Sequence, residues 1–306
     1  MRRSAIPVLL LTLLVGCAPH EPSAGDASST FPSASQSTPS PSSSPSSPAS
    51  ESYTFRLPLA VYSYSDADYE VIRSAEQVLA RDCMRDFGLS YRPARNPAPA
   101  EAQDRRYGLT DRASAERYGY RMPPQPETPK AKLTEDQIKV LYGNRSAPAA
   151  AVKNSELRYR GKKVPDEGCL GAAVLGFRKP YEDEAGAEVA SRIATASYEN
   201  SQKVPEVRAV FKKWSSCMKQ KGYDYASPLE AMAAPAFVRG KVSAVEKDTA
   251  EADVSCKERT RLAEVWFAAE SSIQKDMIKA EAGALRRLGE LHEKKLRAAR
   301  KILAGA

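Results

Sequence analysis

The sequence predicts an all-α protein, and three observations carry that expectation. Apolar residues recur at three- and four-residue steps over much of the chain after residue 65, the period of one helix face. Ser, Thr and Asp stand ahead of several of these runs, and Gly closes several of them. Four cysteines accompany two copies of one helix-end pattern. The expected body is therefore a disulfide-stapled helical one, with two related helix-Cys-Met-Gly units, long Pro/Tyr/Arg-rich loops and a long C-terminal helix.

Residues 1–16 read as a cleaved export signal. Arg2 and Arg3 form a positive n-region, and Ile6 to Val15 form a short apolar run. That run is too short to span a hydrocarbon core of about 30 Å, which takes about 20 apolar residues. It ends in Leu14-Val15-Gly16-Cys17, which resembles the lipobox of bacterial lipoproteins. The resemblance implies signal cleavage between Gly16 and Cys17 and a lipid on the Cys17 thiol. The mature chain is then expected at the outer face of the cell membrane, lipid-anchored and extracytoplasmic. Each buried acyl CH₂ contributes about 0.8 kcal/mol, and two acyl chains suffice for stable anchoring.

Residues 17–52 comprise the lipidated Cys and a tether. Positions 18–52 hold 14 Ser and 7 Pro, and Phe31 is the one large apolar residue among them. Such a stretch cannot bury enough surface to offset its conformational entropy, so it is expected to be a disordered spacer.

Residues 53–306 have the composition of a mostly helical extracytoplasmic domain. Asp66 to Phe87 places Ile72, Ala75, Leu79, Cys83 and Phe87 at helical spacing, with Gly88 as the stop. Asp111 caps a short helix that ends at Gly119. Thr134 to Gln137 and Ser243 to Glu246 both have the form of a capping box. Glu182 to Asn200 and Pro205 to Lys221 are two further helices, and Ser227-Pro228 opens a short one. Beyond Ser243 no Pro interrupts the chain, and a stripe from Leu262 to Ile302 fits one helix, kinked near Gly283 or Gly289. Residues 91–132 hold seven Pro, four Tyr and nine Arg or Lys against five acids, and read as extended loops. Residues 144–168 are irregular, with brief strand pairing.

Cys83-Met84-Arg85-Asp86-Phe87-Gly88-Leu89-Ser90-Tyr91 and Cys217-Met218-Lys219-Gln220-Lys221-Gly222-Tyr223-Asp224-Tyr225 share the pattern C-M-x-x-x-G-x-x-Y. With Cys17 assigned to lipid, four Cys remain, and three pairings are open to them. In Cys83–Cys169 with Cys217–Cys256, each copy closes its own loop, and this is the expected arrangement. The rival, a metal site, has neither a C-x-x-C pair nor a nearby His to support it. The chain also resembles a group of uncharacterised lipoproteins exported by actinobacteria. The residues that carry this are Cys217-Met218, Gly222-Tyr223, Arg106-Tyr107-Gly108, Tyr118-Gly119-Tyr120, Asp253 to Cys256 and Val265-Trp266-Phe267. That group implies no chemistry to carry over.

Two His in 306 residues leave little room for His-based catalysis or metal binding. No Walker loop, G-x-G-x-x-G, G-x-S-x-G or H-E-x-x-H occurs. No catalytic residue, metal or cofactor is assigned, and the enzyme question leans towards no. His292, among Glu290, Glu293, Lys294 and Lys295, reads as an exposed helix residue. The formal charge is +8, and +6 once residues 1–16 (Arg2 and Arg3) are removed, 44 minus 38. Outside the cell that charge points to anionic lipid and wall polymer rather than nucleic acid. Tyr107, Tyr118 and Tyr120 with Arg105, Arg106, Arg117 and Arg121 are the candidate binding surface, since rings stack on sugars and Arg forks bind phosphate. The basic stretch 285–303 is a second candidate. The leading expectation is a non-catalytic accessory or binding protein of the cell envelope. The alternatives are an envelope hydrolase with paired carboxylates and a helical docking partner for another envelope protein.

Overall fold

The computed structural model describes residues 55–93, 104–127, 132–146 and 156–306. The expected signal, Cys17 and the Ser/Pro-rich stretch lie outside these. The first helix, α1 (Asp66–Asp86), starts at Ser65, whose hydroxyl accepts from Asp68 N while Asp68 accepts in return. Next come α2 (Arg112–Tyr118), capped by Asp111, and α3 (Glu135–Tyr142), where Thr134 and Gln137 form the expected capping box. A two-residue hairpin pairs β1 (Arg158–Tyr159) with β2 (Lys162–Lys163). Then follow α4 (Gly168–Arg178), α5 (Glu184–Ser201), α6 (Pro205–Gln220), α7 (Pro228–Met232) and α8 (Pro235–Val238). The chain closes with α9 (Ala244–Thr260), α10 (Leu262–Ala280) and α11 (Ala282–Ala304). The fold is all-α, and no described helix is long and apolar enough to cross a membrane.

Two sequence expectations are corrected. The single C-terminal helix is three helices. Arg261 takes left-handed backbone (φ 54°, ψ 40°) and separates α9 from α10, and Glu281 (φ −110°) separates α10 from α11. The turns fall at these residues rather than at Gly283 or Gly289, because α11 has to swing back onto α1 and α5 to bury its apolar face. Helix α4 was not expected at all. Gly168, Gly171 and Gly176 weaken its intrinsic propensity, and its packing on α1 and α3 holds it instead.

The core has four parts. The largest gathers Tyr107, Leu109 and Tyr120 from the Tyr/Arg-rich segment with Trp214 and Met218 of α6, Val254 of α9 and Trp266 of α10. A second joins Met84 of α1, Val140 and Leu141 of α3, Tyr159 and Cys169. A third seats Ala299 and Ile302 of α11 on Ile72 and Ala75 of α1 and Phe177 of α4. A fourth packs Leu59, in a 3-10 turn at Pro58–Tyr62, on Ile193 and Leu285.

Both disulfides follow the expected pairing, with Cα–Cα separations of 5.6 Å for Cys83–Cys169 and 5.7 Å for Cys217–Cys256. The sequence repeat is also a structural one. After α1, Gly88 N donates to Arg85 O and Leu89 N to Met84 O. After α6, Gly222 N donates to Lys219 O and Tyr223 N to Met218 O. Gly88 and Gly222 both take positive φ, 72° and 89°. This is one C-terminal cap used twice, with a fully buried Met at the same place in each.

Candidate functional site

The Tyr/Arg-rich segment faces inward over most of its length. Of the seven candidates, Tyr107 and Tyr120 are buried, Arg105, Arg106, Tyr118 and Arg121 are half-buried, and Arg117 alone is exposed, its guanidinium over the Tyr118 ring at 5.2 Å. Arg105 donates to Tyr120 O and Arg121 O. Helix α10 presents one buried carboxylate to this side of the segment and α9 presents two.

On α10, Glu270 accepts from Arg106, from the Tyr107 hydroxyl at 2.8 Å, from Ser197 at 3.0 Å and from Gln274 at 3.3 Å. Arg106 also lies over the Tyr198 ring. At the start of α9, Glu246 accepts from Tyr120 N and Arg121, and Arg121 reaches on to Val238 O and Arg239 O. The expected capping box at Ser243 is therefore half formed: the hydroxyl accepts from Glu246 N, but the carboxylate turns to Arg121.

Further along α9, Asp253 accepts from Lys257 at 2.8 Å and from the Trp214 indole at 2.9 Å, and Lys257 also donates to Leu109 O. Burial pushes the Asp253 carboxyl up and the Lys257 ammonium down, while their mutual attraction opposes both shifts. Burial, with the Asp253 charge beside it, raises the Tyr120 phenol as well. Gly108 explains part of the Arg106-Tyr107-Gly108 motif. Its φ is +84°, and a Cβ there would sit 2.6 Å from Lys257 Nζ. These residues therefore fasten the loop to the body; they do not make an outward platform.

A different cluster reaches the surface where α1, α4 and α11 meet. Tyr64 lies just before α1, and its ring stacks on His292 of α11 at 4.1 Å and meets Tyr69 edge-on at 5.4 Å. Lys295, one turn beyond His292, is buried and holds its ammonium over the Tyr64 ring at 5.8 Å. Arg178 at the end of α4 grips Glu76 of α1 through two bonds, at 2.6 and 3.0 Å. Burial, helped by Tyr69 and Asp68, pushes the Tyr64 phenol up to about 12. Burial and the nearby Lys295 hold His292 below the usual imidazole range, against Asp183 and the Tyr62 backbone. Burial and Arg178 lower Lys295, against Glu76 and Glu182. His292 is thus half-buried and stacked, not the exposed helix residue its neighbours in sequence suggest.

This cluster offers rings and cations but no nucleophile with a base. Tyr69 stands 58% exposed and the Arg178 side chain 47%, so a sugar or an anionic group can meet both. Sequence reading missed it because its members are spread from residue 64 to 295. A shallow open groove of ≈ 430 Å³ lies along α5, lined by Glu188, Ser191, Arg192, Thr195, Ala196 and Glu199. Among the described residues, no group of three or more His, Cys, Asp or Glu is placed to hold a metal ion. The basic stretch 285–303 turns Leu285, Leu288 and Ala299 onto the core and leaves Arg286, Arg287, Lys294, Arg297, Arg300 and Lys301 in solvent. No protein-family model, curated protein or solved structure matches the chain.

Proposed function

We propose that the chain is a lipid-anchored surface lipoprotein whose helical body is a non-catalytic accessory or binding module of the cell envelope. The observation that carries this reading is the fate of the five cysteines. Cys83, Cys169, Cys217 and Cys256 are consumed in two disulfides, which leaves Cys17 as the one thiol for lipid. Disulfides persist in oxidising compartments outside the cytoplasm, where the export signal would send the chain.

Binding is favoured over hydrolysis by the state of the buried carboxylates. Glu76, Glu246, Asp253 and Glu270 are each held by an Arg or Lys. A glycosidase pair needs two carboxyl groups open to the glycosidic bond, and these four are buried and turned onto protein partners. Docking through the apolar stripe of α11 is disfavoured too, since Leu285, Leu288 and Ala299 are spent on the core. The Tyr64, Tyr69, Arg178, Lys295 and His292 cluster is the place for an anionic wall polymer to bind.

Mass spectrometry of the mature N-terminus tests the anchor. A diacylglyceryl Cys17 is expected, and Cys17→Ser should move the protein from the membrane fraction to the soluble one. An unmodified Cys17 or a retained Met1 would sink the reading.

A further inference from the structure

The body carries an apolar surface patch that no core uses. Nine large apolar side chains are exposed among the described residues, and four of them fall in one place. Val238 (58% exposed) ends α8, Val242 (37%) lies in the following loop, and Val245 (62%) is in the first turn of α9. Met122 (54%) follows Arg121, whose guanidinium bonds Val238 O and Arg239 O and so ties the two segments together. Exposed apolar residues scattered singly need no explanation, but a group rimmed by polar residues marks a contact surface.

The rim is cationic. Arg239 and Lys241 are exposed, and no described residue forms an ion pair with either. Between Val238 and Lys247 the one acid is Glu246, which is buried and held by Arg121. Valines beside exposed cations suit the boundary between acyl chains and anionic headgroups, where each group finds its own medium.

We propose that the Val238–Val245 loop with Met122 docks on the anionic membrane surface. The proposal rests on the lipoprotein reading for its setting. From Cys17 to Phe55 the chain runs 38 residues, and a random coil of 38 residues averages about 35 Å end to end. An anchored body therefore meets lipid at an effective concentration near the millimolar range, so weak intrinsic affinity is enough. Docking fixes which face of the body looks outward and turns a tethered module into an oriented one.

The test uses the full mature-length chain with Cys17→Ser, so that no acyl chain contributes. Co-sedimentation is measured with vesicles of equal parts phosphatidylglycerol and phosphatidylcholine, and with phosphatidylcholine alone. Binding to the anionic vesicles at millimolar lipid is expected, weakening with added salt. Val238→Asp with Val245→Asp should weaken it about tenfold or more, the loss expected when two apolar contacts are replaced by charges that anionic lipid repels. Arg239→Glu with Lys241→Glu, at exposed positions away from the core, should do so on anionic vesicles only. Absence of binding to anionic vesicles, or binding that neither double variant changes, overturns the proposal. So does self-association in sedimentation velocity that the valine variants abolish while vesicle binding is unaffected, which would assign the patch to a second copy. Lipidation of Cys17 is read separately by mass spectrometry, so failure of the patch and failure of the anchor remain distinguishable.

Discussion

At the scale of single residues, the buried charges decide more than the exposed ones. Asp253 and Lys257 are both shut away from water, and each depends on the other for neutralisation. Removing either leaves a charge or an unfilled donor set in the core, so Asp253→Ala or Lys257→Met alone should cost about 3–5 kcal/mol. The double replacement should cost less than the sum of the two, and denaturant unfolding of all four chains measures the coupling. Gly108→Ala strains a positive-φ backbone and drives a methyl against Lys257, so a loss of about 1–3 kcal/mol is expected in the same assay. His292 gives a pH signature. Its folded value is depressed, whereas the unfolded chain returns it to about 6.5. Between those values the unfolded state holds more protons, so this contribution is complete above pH 6.5 and is lost as pH falls through that window. His292→Gln should flatten the fall in melting temperature between about pH 7 and 5. An unchanged slope would mean that other groups carry it.

Among the elements, the repeated unit is the informative one. Helices α1 and α6 end in the same cap, and each delivers its Cys to a different kind of partner. Cys83 meets Cys169 at the start of α4, whereas Cys217 meets Cys256 inside α9. The loops span 86 and 39 residues. In the chain-entropy account these closures stabilise by about 4.6 and 4 kcal/mol, as upper values. Double Ser replacement of the Cys217–Cys256 pair should therefore lower the unfolding free energy by up to about 4 kcal/mol. No change would mean that the long C-terminal segments hold α6 on α9 without it. Most helix ends were readable from Gly88, Asp111, Thr134 and Gly222, because capping is local chemistry. The breaks at Arg261 and Glu281 were not, because neither residue is a helix breaker in its own sequence context.

For the molecule as a whole, the Tyr64 cluster and the Val238–Val245 patch give the body two surfaces of different chemistry. If the first takes anionic wall polymer, binding by the soluble Cys17→Ser chain should weaken steeply with salt. Lys295→Met and Arg178→Gln should lower it together, with Tyr69→Ala removing a ring contact. Titration calorimetry against isolated polymer reads this, and salt-insensitive binding would reject the assignment. The candidates Arg105, Arg106, Tyr107, Tyr120 and Arg121 looked like a ligand surface because Tyr and Arg serve sugars and phosphates well. The same atoms also serve as staples when a fold supplies buried carboxylates. Glu246 and Glu270 are those partners, 125 and 164 residues away from the Arg121 and Arg106 side chains that they hold.

The sequence by itself determined the helical class, most of the caps and the repeat, and among three open disulfide pairings it favoured the one that the structure has. Each follows from short-range periodicity or from which loops can close. The tertiary structure alone decided where α9, α10 and α11 part, which Tyr and Arg turn inward, and that Tyr64, Arg178, His292 and Lys295 meet. Those outcomes depend on which apolar faces find one another across long separations, and burial is a property of the packed chain rather than of any residue in it.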